Sequence, residues 1–341
     1  MDTTAALILF AAITTYAIFG GADFGAGFWD LVAGGTKRGG RPREVIDHAI
    51  APVWEANHVW LIFVFVLLWT CFPEAYASIT VTCFVPLTLA AFGIVLRGAG
   101  FAFRKAVFRT PDRRNFGAAF ALSSVLVPYC FGAIVGGIAS ERVPAGGKAG
   151  DAWDSWVNPT SVLGGVLAVC LTAYLAAFFL VRDADRLADE GMVAYFRRRA
   201  TASAVAAGTV AIAGIFVLAE DAEYLFDGLS SRALPLVIVS ALCGAAALLL
   251  AARAVRRGAR LAAVGAVGAL VVAWGVAQWD YLLPTSLTIE DAAAPTDTII
   301  VVLVACGLAA VLIVPAFVLL YVLDQQSMLP EEGMPEPTRT P

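Results

Sequence analysis

Charged residues are scarce in this sequence. Asp, Glu, Lys and Arg make up 15% of the 341 residues, whereas hydrophobic residues make up 60% and the mean hydropathy is +0.80. A soluble domain carries about 25% charged residues. The composition therefore excludes an ordinary soluble domain. It predicts an all-α membrane protein, because apolar helices satisfy their own backbone hydrogen bonds in lipid.

Ligands for metals and haems are scarce too. The chain has only two histidines, His48 and His58, and its six cysteines lie in apolar runs without a CxxC spacing. Membrane haem proteins take axial ligands from His, Met or Cys, so the two histidines exclude a chain that binds several haems. His58 remains a candidate ligand for a single haem, whereas His48 adjoins a basic loop and is expected to be solvated. We interpret the cysteines as packing residues.

Motifs for other chemistry are also missing. The sequence contains no metal-ligand cluster, no glycine-rich phosphate loop and no nucleophile beside an evident base. Any redox centre is therefore expected in another chain, and no nucleic-acid partner is expected. A basic leader is missing before the first apolar run, so the first helix is expected to be retained.

Nine apolar runs of about 20 residues are long enough to cross a bilayer. Eight of them suit two four-helix bundles, with the ninth helix peripheral. Residues 1–323 then form one polytopic membrane domain, followed by a disordered cytoplasmic tail at 324–341. We place the runs at residues 5–31, 52–72, 77–100, 117–139, 160–181, 202–220, 233–252, 259–279 and 298–322.

Basic residues follow alternate runs. They cluster at 37–43, 104–114, 182–199 and 253–260, after the first, third, fifth and seventh runs, and the last loop between runs is acidic. Loops rich in Lys and Arg stay on the cytoplasmic side of a membrane. The pattern predicts an external N-terminus and a cytoplasmic C-terminus, which suits an odd number of spans.

Polar residues interrupt the first two runs. Asp23 lies about 12 Å from the inner end of the first run, at 1.5 Å per residue. In the second run, Trp54, Glu55 and His58 share one helix face near its inner end. Ionisable groups at membrane depth face the protein interior rather than lipid. Asp23 and Glu55 reach similar depths on antiparallel runs, so they are candidates to hold and pass a proton.

Structural roles explain the same residues equally well at this point. Asp23 has a second interpretation as the partner of Arg97, near the inner end of the third run, in an ion pair that only supports the fold. Glu55 also has a structural interpretation, as a carboxylate at a helix start, where the helix dipole favours negative charge. Trp60 and Trp69 are typical of aromatic residues at the membrane interface.

Four segments together resemble a known family. Residues 21–27 (GADFGAG), 52–61 (PVWEANHVWL), 96–104 (LRGAGFAFR, with Arg97) and 158–174 have the order and spacing of motifs in subunit II of cytochrome bd quinol oxidases. Each segment alone is weak, but the set is specific. With the nine runs, the resemblance covers nearly the whole chain.

The resemblance implies a partner-dependent oxidase of the bacterial plasma membrane. In this family a separate subunit I carries two b-type haems and one d-type haem, oxidises quinol on the outer side and reduces dioxygen to water. Subunit II binds no haem and supports subunit I. In some members it contributes a cytoplasmic proton route and access for dioxygen. A small single-span subunit and a structural quinone or lipid are further possibilities for such a complex.

Site residues follow from the same motifs. Asp23 and Glu55 match the family's proton-route carboxylates, and Trp54 and Asn57 match supporting positions, as does Arg97 in the third segment. His58 is assigned to proton transfer as well, although members differ at its position. Two other hypotheses remain open. One is an ion-coupled secondary transporter with Asp23, Glu55 and Arg97 at broken helices, and the other is a scaffold subunit without proton traffic.

Overall fold

The computed structural model describes residues 1–50, 54–106, 110–255 and 257–325. Within these ranges the chain forms twelve helices and one two-stranded antiparallel hairpin. The helices are α1 (Asp2–Leu31), α2 (Thr36–Ile50), α3 (Trp54–Cys71), α4 (Pro73–Thr82), α5 (Phe84–Ala106), α6 (Thr110–Ala139), α7 (Pro159–Arg186), α8 (Glu190–Asp221), α9 (Glu223–Ser230), α10 (Leu234–Ala252), α11 (Ala259–Gln278) and α12 (Thr296–Gln325), with strands β1 (Tyr281–Leu283) and β2 (Leu287–Thr288) before α12.

The helices confirm the prediction of a nine-span membrane protein. Among the described residues, eight helices are long and apolar enough to cross a bilayer. The count is nine when the pair α3 and α4, which are bent by 118° relative to each other, is taken as one broken span. The tail after residue 325, predicted to be disordered, lies outside the described residues.

The predicted start of the third span is wrong. The run at 77–100 was expected to be one helix, but the spanning helix α5 begins at Phe84 and residues 73–82 form the separate helix α4. Pro73 has no backbone N–H, and it restricts the preceding residue to non-helical angles. Phe72 accordingly has φ −136° and ψ 61°, so α3 ends and the chain turns before α4.

The first basic loop is also more ordered than expected, because residues 36–50 form the amphipathic helix α2. Val45 and Ile46 on its apolar face are buried in the core, while His48 is exposed, as predicted. The Arg43 Nε donates to Asp30 Oδ1 at the end of α1 over 2.6 Å. A search for apolar runs missed this helix, since it is rich in charged residues and does not cross the membrane.

The spanning helices form two groups of four with one peripheral helix, as predicted, and α7 packs nearly as extensively on α6 as on α8 of its own group. The first group contains α1, α3, α5 and α6, and the second contains α7, α8, α10 and α11. Contacts of α7 with α1 and α6 join the groups. Gly132 on α6 lets α7 approach closely, because a Cβ there would lie 2.2 Å from the carbonyl oxygen of Gly164. The peripheral helix α12 packs against α3 and α1.

Ion pairs show that the helices run alternately up and down. Arg41 of α2 binds Asp189, which precedes α8, and this joins two basic loops at one end of the bundle. At the opposite end, Arg142 after α6 binds Asp221 at the end of α8. We call the end with Arg41 and Asp189 the basic end, and the end with Arg142 and Asp221 the opposite end. The first and third basic clusters therefore share one end of the molecule, as the charge pattern predicted.

Candidate functional site

The site is built around the glycine-rich turn of α1 that contains Asp23. Gly25 and Gly27 bring α1 against two neighbouring helices. A Cβ on Gly25 would lie 1.8 Å from the carbonyl oxygen of Thr172 on α7, and one on Gly27 would lie 2.1 Å from the Ser124 Oγ on α6. Only glycine permits this approach. It encloses Asp23, which is 5% exposed, inside the protein rather than against lipid.

Arg97 of α5 reaches Asp23 inside the bundle. Its Nη2 donates to the carboxylate Oδ1 and to the backbone carbonyl oxygen of Asp23, each over 2.9 Å. Its Nε donates to the Ser124 Oγ over 3.0 Å. The two charged side chains are 1% and 2% exposed. The expected structural ion pair is therefore present.

Two aromatic rings enclose the guanidinium group of Arg97. Its Cζ lies 4.8 Å from the ring centroid of Phe24 and 4.8 Å from that of Phe120. Aromatic faces attract cations, and a desolvated contact of this kind stabilises by about 2 kcal/mol. The rings and the carboxylate together offset the cost of burying a charge. Arg97 is thus held in one position beside Asp23.

Several polar atoms at the site lack a partner among the described residues. They are the Tyr16 hydroxyl, the Asp23 Oδ2, the His58 Nδ1 and the Arg97 Nη1, and all are buried. Buried polar atoms without hydrogen bonds are rare, and internal water molecules commonly satisfy them. The ion pair has therefore used only part of the hydrogen-bonding capacity at this site.

Helix α3 places two predicted residues against α1. The Asn57 Nδ2 donates to the carbonyl oxygen of Phe19 over 3.4 Å, and its side chain is 5% exposed. The His58 ring centroid lies 5.8 Å from that of Phe24 and 6.4 Å from that of Tyr16. His58 is also within electrostatic range of both Asp23 and Arg97. The structure thus brings Asp23, Asn57, His58 and Arg97 together.

The predicted residues Trp54 and Glu55 cannot be placed in the same way. Their backbones begin α3, but their side chains lie outside the part of the chain that the structure describes. The proposed pairing of Glu55 with Asp23 therefore stays a prediction. Trp60 contacts Phe317 of α12 at a centroid distance of 5.9 Å, and Trp69 is exposed.

A cavity of about 50 Å³ leads from Asp23 toward the basic end. Its lining comes from α1, α2, α3 and α7 and includes Asp23, Asn57, Ala49 and Asp183. Asp183 lies three residues before the last residue of α7, and its carboxylate is 3.7 Å from Arg186. A water molecule needs about 10–15 Å³ of such volume, so about three or four can fit. The cavity joins two carboxylates at different depths.

Sequence reasoning missed three polar residues of this site: Tyr16, Ser124 and Asp183. Tyr16 and Ser124 carry single hydroxyls in long apolar runs, and such residues often bond only to their own helix. Asp183 stands among the basic residues at 182–199 and suggested a solvated loop. The signal that identifies them exists only in the folded chain: Tyr16 lies beside the His58 ring, Ser124 accepts from Arg97, and Asp183 lines the cavity.

The helices that carry the ion pair are continuous. α1 runs unbroken from Asp2 to Leu31 through Asp23, and α5 runs unbroken from Phe84 to Ala106 through Arg97. The transporter hypothesis required a site at broken helices. The only break of this kind among the described spans lies between α3 and α4, away from both residues of the pair.

The cavity beside Asp23 is small. It has about 50 Å³, whereas pockets for organic ligands have about 300–1,000 Å³. His58 is enclosed by the rings of Tyr16 and Phe24. Among the described residues, no group of three or more His, Cys, Asp or Glu is placed to hold a metal ion.

These features define a class: a multi-span helical membrane protein with a buried ion pair and, beside it, a small cavity that two carboxylates line. Comparison with known proteins gives the family. The chain belongs to the cytochrome bd terminal oxidase subunit II family, whose sequence model matches residues 1–324. The resemblance seen in the sequence motifs is thereby confirmed, and the chain is a multi-span protein of a bacterial membrane.

Individual relatives agree with this assignment. Over 223 residues the chain is 26% identical to cytochrome bd-I ubiquinol oxidase subunit 2 of Escherichia coli K12, a match that covers 62% of this chain and 56% of that protein. It is 25% identical over 152 residues to cytochrome bd ubiquinol oxidase subunit 2 of Bacillus subtilis 168, covering 44% of each. The matches thus span about half the length of these relatives.

A solved structure shares the fold. The chain superposes on the bd oxidase from Geobacillus thermodenitrificans with a TM-score of 0.80, covering 94% of this chain and 98% of that one. The sequence identity over this match is 24%, so it establishes the architecture alone.

Proposed function

We propose that this chain is the haem-free subunit of a quinol:dioxygen oxidoreductase and that it carries protons from the cytoplasm toward a haem-bearing partner. The single observation that carries the proposal is the cavity that has both Asp183 and Asp23 in its lining, with Asp23 paired to Arg97 inside an otherwise apolar bundle. Membership of the family supports the partner. Two b-type haems and one d-type haem in that partner would supply the electron transfer and the reduction of dioxygen.

Protons would enter at the basic end, which the positive-inside rule places in the cytoplasm. Asp183 lies at the mouth of the cavity, and water molecules in the cavity would connect it to Asp23. At Asp23 the Oδ1 is held by Arg97, whereas the Oδ2 has no partner among the described residues and is available to a water molecule. Protons would therefore pass at the Oδ2 while the ion pair keeps the carboxylate in place.

The next steps would use the other polar atoms of the site. The Nδ1 of His58 and the hydroxyl of Tyr16 lie beyond Asp23 on the α3 side of α1. Glu55 begins α3 and is proposed as a second carboxylate of the route, with Trp54 and Asn57 in support. Proton uptake from the cytoplasm, paired with proton release from quinol outside, would build a membrane potential without pumping. A role in dioxygen access and a bound quinone rest on the family resemblance.

Oxygen consumption of the purified complex with reduced quinone tests the route. We expect Asp23→Asn and Glu55→Gln each to lower turnover by at least about tenfold, as loss of a proton-transfer group typically does. Asp183→Asn should have a smaller effect, because water can enter the cavity mouth directly. Asp185→Asn is a matched control on the same helix, since Asp185 lines a different groove.

Haem content decides how a loss of activity is understood. If Asp23→Asn and Glu55→Gln keep full turnover at normal haem content, the proposed route is wrong. If haem content falls with activity, the residues support assembly and the scaffold hypothesis is favoured. Purification in mild detergent separates the oxidase from a transporter, because an oxidase subunit brings a coloured, haem-bearing partner.

A further inference from the structure

A second cavity lies at the basic end, between the helices of the second group. It has a volume of about 40 Å³ and is lined by residues of α7, α8, α10 and α11, on the far side of α7 from the proton cavity. We call it the arginine groove, because its polar lining contains Arg182, Arg197 and Arg260. Asp185 is the carboxylate of the lining. The proposed proton route does not use this groove.

Positive charge in the groove exceeds the negative charge that the described lining residues supply. Arg182 pairs with Asp185 at 3.4 Å within α7. Neither Arg197 nor Arg260 has a carboxylate partner among the described residues, and both are half-buried. The Cζ of Arg260 lies 5.1 Å from the ring centroid of Phe179, which fixes its direction. Guanidinium groups held in this way present several donors to a phosphate group.

The floor of the groove is apolar. Phe178, Val193 and Ala200 line it and are at most 4% exposed. The groove also borders exposed apolar surface, since Val255 in its lining is 43% exposed and Leu261, next to Arg260, is 73% exposed. A ligand with a phosphate at one end and hydrocarbon at the other would bind the arginines with its phosphate and cover the apolar surface with its hydrocarbon.

The depth of the arginines suits a headgroup. Arg197 lies seven residues after the start of α8, which is about 10 Å along the helix. Arg260 is the second residue of α11, and Arg182 lies four residues before the end of α7. All three thus lie near the basic ends of helices that are long enough to cross a membrane, where lipid phosphates are expected. Basic pockets between helices at this level bind anionic lipid headgroups.

We propose that the arginine groove binds the headgroup of an anionic phospholipid, with its acyl chains along α8, α10 and α11. A lipid headgroup and free phosphate would share one interaction here, a phosphate oxygen bound by Arg197 and Arg260. The apolar surface beside the groove favours a lipid over free phosphate, because free phosphate would leave that surface uncovered. This site is independent of the proposed proton route.

The test is native mass spectrometry of the purified complex, followed by titration in nanodiscs. The wild-type complex should retain an anionic phospholipid on this chain and should bind phosphatidylglycerol in preference to phosphatidylcholine. Each of Arg197→Gln and Arg260→Gln should weaken the preference roughly fivefold, since each basic residue near the surface contributes about that factor. Arg197→Lys should largely preserve it, because the charge is kept.

Arg198→Gln is the matched control, since Arg198 is exposed on the same helix and does not line the groove. All variants should unfold at the same temperature in phosphatidylcholine nanodiscs, which shows that they fold. Equal lipid retention in the wild type and the Arg197→Gln/Arg260→Gln variant would overturn the proposal. Displacement of the retained lipid signal by inorganic phosphate alone would overturn it too, in favour of a phosphate site. Protein found in place of lipid would identify a subunit interface and would equally reject it.

Discussion

Two ion-pair clusters, one inside the helix bundle and one at its opposite end, differ in how completely they are satisfied. At the opposite end, Arg142 binds Asp154 at 3.0 Å and Asp221 at 2.8 Å. The Asp221 Oδ2 also accepts hydrogen bonds from the backbone N–H and the hydroxyl of Thr160. None of these side chains has a buried polar atom without a partner among the described residues. This cluster ties the ends of α6, α7 and α8 together.

The Asp23–Arg97 cluster is more deeply buried and yet less complete. Its charged side chains are 1% and 2% exposed, against 24% and 18% for Arg142 and Asp221. It nevertheless leaves the Asp23 Oδ2 and the Arg97 Nη1 without a partner among the described residues. A cluster that serves only stability gains from full satisfaction. The buried cluster thus has unused hydrogen-bonding capacity among the described residues, whereas the satisfied cluster holds helix ends together.

The largest expected effect comes from breaking the buried pair from one side. Arg97→Met leaves the Asp23 carboxylate buried without a counter-charge, which should lower the free energy of unfolding by about 3–5 kcal/mol. Replacing both partners, as in Asp23→Leu/Arg97→Met, should recover most of that loss. Denaturant unfolding of the complex measures both.

Arg142→Met provides the comparison at the opposite end. Its loss of stability should be smaller than that of Arg97→Met, because Arg142 and Asp221 are partly exposed and water can replace the lost partner. Equal losses for the two variants would show that the depth of burial does not distinguish the clusters.

The next effect separates stability from turnover. Asp221→Asn removes a charged acceptor for Arg142 and Thr160 and should lower the free energy of unfolding by about 1–3 kcal/mol. Oxygen consumption per assembled complex should stay at the wild-type rate, in contrast to Asp23→Asn. Measuring both quantities on the same preparation checks this. A matching fall in turnover would mean that the opposite end contributes to the reaction.

A smaller effect is expected from Tyr16→Phe. Since the hydroxyl of Tyr16 has no partner among the described residues, its removal should leave stability nearly unchanged. If internal water at this hydroxyl belongs to the proton route, turnover should still fall severalfold. Tyr174→Phe is the control, because its buried hydroxyl also lacks a partner in the described part of the chain but lies on α7 outside the site. Unchanged turnover in both variants would remove Tyr16 from the route.

The smallest effect concerns the exposed loop before α8. The backbone N–H of Met192 and the guanidinium group of Arg41 hold the pKa of Asp189 below its usual range. A lowered pKa stabilises the fold above the unfolded value of about 3.9, and that contribution is lost as the pH falls through the folded value. Asp189→Ala should therefore be less stable than the wild type at neutral pH, with the difference shrinking below about pH 4. Thermal unfolding across this pH range measures it, and a difference independent of pH would contradict the assignment.

Boundaries show where local reasoning succeeded. The predicted fifth, seventh and eighth spans lie at 160–181, 233–252 and 259–279, and the helices are Pro159–Arg186, Leu234–Ala252 and Ala259–Gln278. Hydropathy finds such elements because the bilayer imposes a minimum apolar length on each. It failed at 73–82, where Pro73 starts a helix inside an apolar stretch. There the local backbone restriction outweighed the continuous hydropathy.

The candidate site was predictable in its members but not in its contacts. Asp23, Asn57, His58 and Arg97 were identified because polar groups are costly at membrane depth. Whether Asp23 meets Arg97 or Glu55 was open, since both arrangements suit the same sequence. The structure shows the contact with Arg97, whereas the side chain of Glu55 is outside the described part of the chain.

The sequence by itself determined the membrane class, the spans, their alternating direction and the shortage of haem ligands. These properties depend on composition and on residues close together in the chain. Only the tertiary structure decided which polar atoms meet. Arg97 reaches Asp23 across 74 positions, and the cavity joins Asp23 to Asp183, because glycine contacts at Gly25 and Gly27 set how α1 rotates and packs against its neighbours. Helix rotation and depth are set by packing among several helices, and no single segment contains that information.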